Sequence, residues 1–194
     1  MPKLIGVKKI DIAVLISGNG SNLKNLINHS FKKNSKFKIN LIISNKSKAK
    51  GLNYAKKFKI HKKIIDYLSA KNAEKDILSE LKRKQIYFIC LAGFMKILSS
   101  NFIKKFKGKI INIHPSLLPK YKGLNTHQRA ISNNEKYSGC TVHYVSSKLD
   151  SGKIILQKKV RIFKNDTSEK LAKKVLKQEH ILYPKALEKV LSSL

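Results

Sequence analysis

Asn112 and His114 are the two residues whose types and spacing best suit catalysis. An asparagine amide can donate a hydrogen bond to an oxygen, and an imidazole can take or give a proton near neutral pH. The two residues end an apolar, β-branched run, and on a strand residues two apart point to the same face. Such a pair could stabilise an oxyanion while a proton moves. For His114 alone, a hydrogen-bonded core histidine at a strand end is the alternative interpretation.

A glycine-rich turn follows an apolar run near the start of the chain. Gly18 and Gly20 allow a positive φ and a close approach of the backbone to a ligand. Ser21 and Asn22 are predicted to cap a helix whose free N–H groups attract anions, which suits a phosphate. Because Leu23 stands where the dinucleotide fingerprint needs a glycine, and no Gly-Lys-Ser/Thr closes a Walker loop, neither motif is present. A plain tight turn is the alternative.

Three further segments could contribute to a site. Met95–Leu98 offers backbone groups flanked by apolar side chains, which could hold a flat heteroaromatic ring, although a helix start packed on the core is an equal alternative. Asp150, in a predicted turn, could lie near His114 and favour its charged form. Glu179, on the last predicted helix, could bind an amine, or it could be an ordinary surface charge.

A metal site and a serine nucleophile are not favoured. His114, His127, Cys140 and His143 could be combined into a zinc site on paper. However, Cys140 and His143 fall on opposite faces of a predicted strand, and no pair has the usual ligand spacing. No Gly-x-Ser-x-Gly elbow is present either. We therefore predict chemistry without a metal.

Strands and helices alternate along the chain. Strands are predicted at 12–16, 39–43, 62–65, 86–91, around 110–113, at 139–145 and at 154–160, and helices from about 23, at 48–58, 73–84, 101–106, 127–132 and 167–191, where Pro184 interrupts the last one. This order predicts a single α/β domain over 1–194 with a mainly parallel sheet flanked by helices, and residues 1–10 as a short extension. In such sheets ligands bind beyond the carboxyl ends of the strands, so we expect the loops at 17–22, 92–98 and 114–123 to meet.

The charge of the chain is its unusual compositional feature. The net charge is +31, from 42 Lys and Arg against 11 Asp and Glu, and only three of the 42 are arginines. Nucleic-acid binding is the direct interpretation of such a charge. The lysines run along the whole chain, however, and are not interleaved with aromatic residues. We therefore attribute the excess of surface lysines to A/T-rich codons, and we predict no nucleic-acid partner.

The apolar runs, the N-terminal segment and the two cysteines indicate the cellular compartment. No apolar run approaches the roughly 20 residues that span a bilayer. Met1–Asp11 is too short and too interrupted for a signal peptide. Cys90 and Cys140 lie far apart and suggest no disulfide framework. We therefore predict a cytoplasmic protein without membrane contact.

Five segments resemble the phosphoribosylglycinamide formyltransferase family. They are Val14–Leu23 (VLISGNGSNL), Leu91–Ser99 (LAGFMKILS), Asn112–Gly123 (NIHPSLLPKYKG), Leu149–Gly152 (LDSG) and Gln178–His180 (QEH). The Asn-x-His-Pro-Ser-Leu-Leu-Pro string is similar to one shared by 10-formyltetrahydrofolate-dependent formyltransferases in general. The Gly-Asn-Gly-Ser-Asn turn narrows the resemblance to the glycinamide ribonucleotide branch and to formyltetrahydrofolate deformylase.

The resemblance implies a Rossmann-like formyltransferase domain and transfer of a formyl group from 10-formyltetrahydrofolate to the amine of 5'-phosphoribosylglycinamide, the third step of de novo purine synthesis. It also implies roles for individual residues. The implied catalytic residues are Asn112, His114 and Asp150; the implied ribonucleotide contacts are Gly20, Ser21, Asn22, Leu23, Gln178 and Glu179; and the implied folate contacts are Met95, Lys96, Ile97, Leu98, Asn112, Ser146, Leu149 and Asp150.

Other functions compatible with the same motifs stay open at this point. Methionyl-tRNA formyltransferase shares the His-Pro-Ser string, but its family adds a C-terminal barrel. The deformylase adds an N-terminal regulatory domain. A basic RNA-binding protein on the same scaffold is the alternative that is not an enzyme. The expected partners are small-molecule substrates, with the chain as a monomer or homodimer.

Overall fold

One seven-stranded sheet organises the chain. The computed structural model describes residues 9–193. The strands are β1 Ile10–Ile16, β2 Phe37–Ser44, β3 His61–Ile64, β4 Phe88–Leu91, β5 Lys109–His114, β6 Tyr137–Tyr144 and β7 Ile154–Arg161. The helices are α1 Ser21–Ser30, α2 Leu52–Lys57, α3 Ala70–Arg83, α4 Ser100–Lys105, α5 Thr126–Ser132 and α6 Ser168–Leu191.

The predicted α/β class and the predicted elements are confirmed. The strand order is β3-β2-β1-β4-β5-β6-β7, with β1 to β5 parallel and with β6 and β7 antiparallel to their neighbours. Of the predicted N-terminal extension, residues 1–8 lie outside the described residues, and Ile10 already begins β1. Across 9–193, no helix combines the length and the apolar character needed to cross a membrane.

Side chains on the two faces of the central strands fill two separate cores. In β1 the alternate residues Ile12, Val14 and Ile16 pack on one side, with residues of α1, α2, α5 and α6. Ala13 and Leu15 pack on the other side, with residues of α3 and α4. Because both faces of β1 are fully buried, this strand is a continuous apolar run, as expected for a parallel sheet covered by helices.

Hydrogen bonds join the loops that follow β1 and β4. The Ser17 amide donates to the Gly93 carbonyl at 3.0 Å, and the Met95 amide donates to Ser17 Oγ at 2.7 Å. The same Oγ donates to Asn45 Oδ1, in the loop after β2, at 2.6 Å. The sheet's carboxyl rim is therefore a connected surface, as the parallel topology predicts.

Gly20 is required where the first turn meets α1. Its φ is +72°, and an added Cβ would lie 2.7 Å from the Cα of Gly51. The two glycine backbones thus pack against each other, which only residues without side chains allow. The glycine-rich turn therefore also has a packing role, beside any role in binding.

Helix α6 continues through Pro184, which has no N–H to donate to the carbonyl of His180 one turn earlier. The side-chain amide of Asn25, on α1, donates to that carbonyl instead. Next to the proline, the buried Tyr183 hydroxyl donates to the Leu91 carbonyl at 2.9 Å. Contacts from α1 and β4 therefore hold the proline-containing turn of α6, which accounts for a helix that runs on past a proline.

We expect Asn25→Ala to lower the free energy of unfolding by about 1–2 kcal/mol, because the His180 carbonyl loses the side-chain donor that replaces the missing N–H of Pro184. Urea unfolding followed by circular dichroism measures this difference. Asn28→Ala, an exposed position on the same helix, is the control and should change stability by less than about 0.5 kcal/mol. Equal effects of the two substitutions would contradict this role of Asn25.

Candidate active site

A cleft of about 640 Å³ opens beyond the carboxyl ends of β4 and β5. Its lining brings together four stretches that are far apart in the sequence: Gly93–Leu98, Asn112–Pro115, Gly123–His127 and Val145–Asp150. Single residues of α1, β4, β6 and α6 complete it: Asn22, Leu91, His143 and Glu179. The predicted meeting of the loops after β4 and β5 is therefore confirmed, and the loop after β1 reaches the cleft through Asn22.

His114 lies at the end of β5 between two hydrogen-bond acceptors. Its Nε2 is 2.9 Å from the backbone carbonyl of Tyr121, and its Nδ1 is 3.4 Å from Oδ2 of Asp150. Because a carbonyl oxygen only accepts, Nε2 carries a hydrogen. The proton that His114 can exchange is therefore the one at Nδ1, beside the carboxylate. Only 6% of His114 is exposed, so this contact is shielded from water.

Asp150 is fixed by the turn between β6 and β7. Its backbone has a φ of +45°, in the left-handed region that asparagine and aspartate tolerate best among residues with side chains. Its Oδ2 accepts a hydrogen bond from the Gly123 amide at 2.9 Å, and its Oδ1 is 3.6 Å from Nε2 of His143. The carboxylate thus joins the loop after β5 to two histidines.

Asn112 faces His143 across the β5–β6 pairing. The two residues are direct partners in the antiparallel register, and Nδ2 of Asn112 is 3.3 Å from Nε2 of His143. Nδ1 of His143 is 2.9 Å from the carbonyl of Tyr144. Burial lowers the pKa of His143, with the positive charge of a protonated His114 acting in the same direction, while the Tyr144 carbonyl and Asp150 oppose it. The histidine is therefore neutral near neutral pH.

A buried pair of polar side chains from two helices also lines the cleft. Nδ2 of Asn22, on α1, donates to Oε2 of Glu179, on α6, at 2.7 Å. Burial raises the pKa of Glu179, and the Asn22 hydrogen bond only partly offsets this rise. Oδ1 of Asn22 is buried and has no hydrogen-bond partner in the structure. A buried carboxylate beside a free acceptor is an arrangement suited to a ligand that carries N–H or O–H groups.

The segment after β4 forms an apolar wall of the cleft. Met95 is 62% exposed and Ile97 is 70% exposed, whereas Leu98 is buried. Since the Met95 amide is already bonded to Ser17, its carbonyl is the group left for a ligand. Leu149, half exposed, also belongs to the lining. Exposed apolar side chains around a concave site are typical of a surface that binds a flat ligand.

The structure brings most of the predicted site residues to this cleft. The lining includes all three predicted catalytic residues, all predicted folate contacts, and Asn22 and Glu179 of the predicted ribonucleotide set. Gly20, Ser21, Leu23 and Gln178 are not in that lining, and the fully buried Leu23 side chain belongs to the core. Of these four, Gly20 and Ser21 lie directly before Asn22 in the turn that reaches the cleft.

Two groups that contact the predicted catalytic residues were not recognised from the sequence. His143 entered only as an unsuitable zinc ligand, and the carbonyl of Tyr121, which holds His114, carries no sequence signal at all. His143 could have been found only from the antiparallel register of β5 and β6. Within residues 9–193, no cluster of three or more His, Cys, Asp or Glu is arranged to hold a metal ion.

Comparisons with known proteins agree with this geometry. Residues 10–187 match the family model described as formyl transferase. A phosphoribosylglycinamide formyltransferase of Haemophilus influenzae is 45% identical over 179 residues, covering 89% of this chain and 83% of that protein. The crystal structure of a phosphoribosylglycinamide formyltransferase from Brucella melitensis has a TM-score of 0.90 at 40% identity, covering 96% of this chain and 98% of that one.

A longer relative matches as well. The trifunctional purine biosynthetic protein adenosine-3 of Chironomus tentans is 43% identical over 195 residues, and the chain spans only 14% of its length. The match covers 98% of this chain. The fold described here thus also occurs as one part of a larger polypeptide.

The fold, the cleft and these matches define an enzyme class, and the chain belongs to the formyl transferase family. Within that family its relatives are the phosphoribosylglycinamide formyltransferases, enzymes of purine biosynthesis. The resemblance seen in the sequence and the Rossmann-like formyltransferase fold that it implied are both confirmed.

We expect Glu179→Gln to raise the melting temperature at neutral pH by a few degrees, since a neutral amide removes the charge that burial disfavours. The folded-state pKa of Glu179 is raised, so the unfolded chain ionises first as the pH rises, and wild-type stability falls through that range. The melting temperature of the variant should therefore exceed that of the wild type by the full amount above the raised pKa. The difference should disappear near about pH 3, where Glu179 is protonated in both the folded and the unfolded chain.

Thermal unfolding of the two proteins, followed by circular dichroism across this pH range, tests the expectation. A variant that melts below the wild type at neutral pH would contradict it. A difference between the two proteins that does not change with pH would also count against it, because the charge of Glu179 would then not be its cause.

Proposed function

We propose that this chain transfers the formyl group of 10-formyltetrahydrofolate to the amine of 5'-phosphoribosylglycinamide, giving the N-formyl product and tetrahydrofolate. The observation that carries the proposal is the single cleft in which Asn112, His114 and Asp150 lie with the buried Asn22–Glu179 pair. A formyl transfer needs a donor site, an acceptor site and a proton-transfer group between them, and this cleft supplies groups suited to each.

The reaction begins with attack of the neutral amine on the formyl carbon. A tetrahedral intermediate forms, and its negative charge develops on the former carbonyl oxygen. An N–H of Asn112 and the protonated imidazole of His114 would stabilise that oxyanion. Because the contact between His114 and Asp150 is shielded from water, its strength is not much reduced by the solvent.

Proton transfer then completes the exchange. The attacking nitrogen gives up one proton, and the folate nitrogen gains one as its bond to the formyl carbon breaks. The Nδ1 proton of His114, whose Nε2–H is held by the Tyr121 carbonyl, would pass to the folate nitrogen, and Asp150 would take the proton of the attacking nitrogen and return it to Nδ1. The proposal thus gives Asp150 the role of proton partner of His114.

We further propose how the substrates lie in the cleft. The apolar segment Met95–Leu98 and Leu149, with Ser146 beside it, would hold the folate. Asn22 and Glu179 would take N–H or O–H groups of the ribonucleotide, with Gly20, Ser21 and the backbone of Leu23 contributing N–H groups to its phosphate at the start of α1. Gln178 does not line the cleft, so it would contact only a part of the ribonucleotide that extends beyond the cleft. The reaction is proposed to run in the cytoplasm, with a monomer or homodimer as the working form.

Purified protein mixed with 10-formyltetrahydrofolate and 5'-phosphoribosylglycinamide tests the function, with tetrahydrofolate formation followed by absorbance. We expect turnover that depends on the ribonucleotide. Turnover with water alone would support a deformylase, and turnover with methionyl-tRNA would support the tRNA enzyme. If no mixture gives turnover and the protein shifts RNA in a gel-shift assay, the result would support the alternative that the chain is a basic RNA-binding protein.

We expect Asn112→Ala and His114→Ala each to lower kcat by about 10²–10³, because each removes a group that stabilises the oxyanion. Steady-state kinetics measures the loss, and circular dichroism checks that the variants fold. His61→Ala, at an exposed position on β3, is the control and should leave kcat unchanged. A folded His114→Ala protein with wild-type turnover would refute the role of that imidazole.

A further inference from the structure

His143 has hydrogen-bonding geometry that the proposed mechanism does not use. It is only 2% exposed, it lies on the antiparallel strand β6, and it faces Asn112 directly. Its two ring nitrogens have different hydrogen-bond partners, the Tyr144 carbonyl at Nδ1 and the Asn112 amide at Nε2, while Oδ1 of Asp150 lies farther from Nε2, at 3.6 Å. Because the two partners differ in what they can offer, they determine together where the ring carries its hydrogen.

The tautomer of His143 follows from the Tyr144 carbonyl. A carbonyl oxygen only accepts hydrogen bonds, so Nδ1 must carry a hydrogen to make the 2.9 Å contact. Burial keeps the ring neutral, because it disfavours the charged form. A neutral ring with its hydrogen on Nδ1 presents a lone pair at Nε2, which can only accept.

The orientation of Asn112 follows from that lone pair. Its Nδ2, 3.3 Å from Nε2, can donate one hydrogen to it. The reversed amide would place Oδ1 against Nε2, which would put two acceptors in contact. The second hydrogen of Nδ2 then remains as the donor that Asn112 can offer to an oxyanion in the cleft.

We propose that His143 is a positioning residue for the formyl transfer: its Nε2 lone pair fixes the side-chain amide of Asn112 with the nitrogen toward β6 and so sets the donor that meets the oxyanion. This inference rests on the proposed function for its kinetic consequences. The tautomer of His143 and the orientation of Asn112 are properties of the free protein and can be measured without turnover.

Protonation of His143 would reverse the arrangement. The charged and titratable groups that face it are Asp150, whose Oδ1 is 3.6 Å from Nε2, and His114 on β5. A hydrogen on Nε2 would point at the Asn112 amide hydrogens and would pair instead with Asp150, the partner of His114. Activity therefore falls below the lowered pKa of His143 for a reason separate from the titration of the other groups.

Two substitutions of His143 by amide residues test the roles of its two ring nitrogens separately. The Gln side chain of His143→Gln can place an oxygen near the position of Nε2 and accept from Asn112. The shorter His143→Asn can keep only the contact near Nδ1. We expect His143→Asn to lower kcat by about 100-fold while KM changes by less than about threefold, and His143→Gln to recover most of that loss.

A double-substitution experiment tests whether the effect passes through Asn112. In the Asn112→Ala protein, adding His143→Asn should cause no further loss of kcat. His61→Asn, at an exposed histidine on β3, is the matched control and should leave kcat unchanged in both backgrounds. Losses that multiply, or equal losses in the Gln and Asn variants, would overturn the proposal.

The pH–rate profile gives an independent kinetic readout. On the acidic side, the wild-type kcat should fall more steeply than that of His143→Gln, because one protonation that inactivates the site is absent from the variant. Identical acidic limbs would count against the proposal. If the wild type shows no formylation at all, the proposed function fails, and the measurement on the free protein still decides the inference.

That measurement is NMR of the ¹⁵N-labelled imidazole rings at neutral pH. We expect His143 to be neutral, with its hydrogen on Nδ1. A ring with its hydrogen on Nε2, or a doubly protonated ring, would overturn the proposal, whatever the activity. Because the spectrum is recorded on the wild type, the test does not depend on whether the His143 variants fold.

Discussion

The antiparallel pairing of β5 with β6 is the constraint on which the site depends. It sets Asn112 opposite His143 and His114 opposite Thr141, so that the polar end of β5 meets side chains from a strand with the opposite direction. The chain leaving β6 then reaches the turn at Asp150, whose carboxylate lies between the two histidines. Because β5 is also held by its parallel pairing with β4, a shift of the β5–β6 register by one residue would turn the side chains of β6 to the opposite face of the sheet, and the cleft would lose His143, the partner of Asn112.

Several polar groups are buried next to the cleft, and they work against stability. The side chain of Glu179 is only 7% exposed and accepts a hydrogen bond from Asn22, whose own Oδ1 finds no partner among residues 9–193. The left-handed backbone of Asp150 adds local strain. The neighbouring core compensates, since Tyr183 ties α6 to the ends of β4 and β5. Such a distribution, with strained or unpaired polar groups at the cleft beside a packed apolar core, is typical of an active site.

The lysine-rich composition has a structural use at the edges of the sheet. All four residues of the edge strand β3 are exposed, and Lys62 and Lys63 lie on it. At the other edge, Lys158 and Lys159 are exposed on β7. Charged side chains, lysines above all, discourage one edge strand from pairing with another chain. Part of the positive charge therefore protects the edge strands from pairing with another chain. That codon usage accounts for the remaining lysines stays a prediction.

The sequence by itself determined the elements, the α/β class and the rim of the sheet at which the cleft opens, because apolar periodicity and glycine turns are local signals that follow from backbone geometry. It also predicted Asn112, His114, Asp150, Asn22 and Glu179 as site residues, through motifs whose residue types suit the chemistry, and the structure brings all five into the lining of one cleft. Only the tertiary structure decided the partners of those residues. The path of the loop after β5 sets the Tyr121 carbonyl on His114. The contacts of the His143 ring with Asn112 and of the Asn25 amide with His180 join residues far apart in the sequence, whose pairing depends on strand register or helix packing, and no local pattern encodes such contacts.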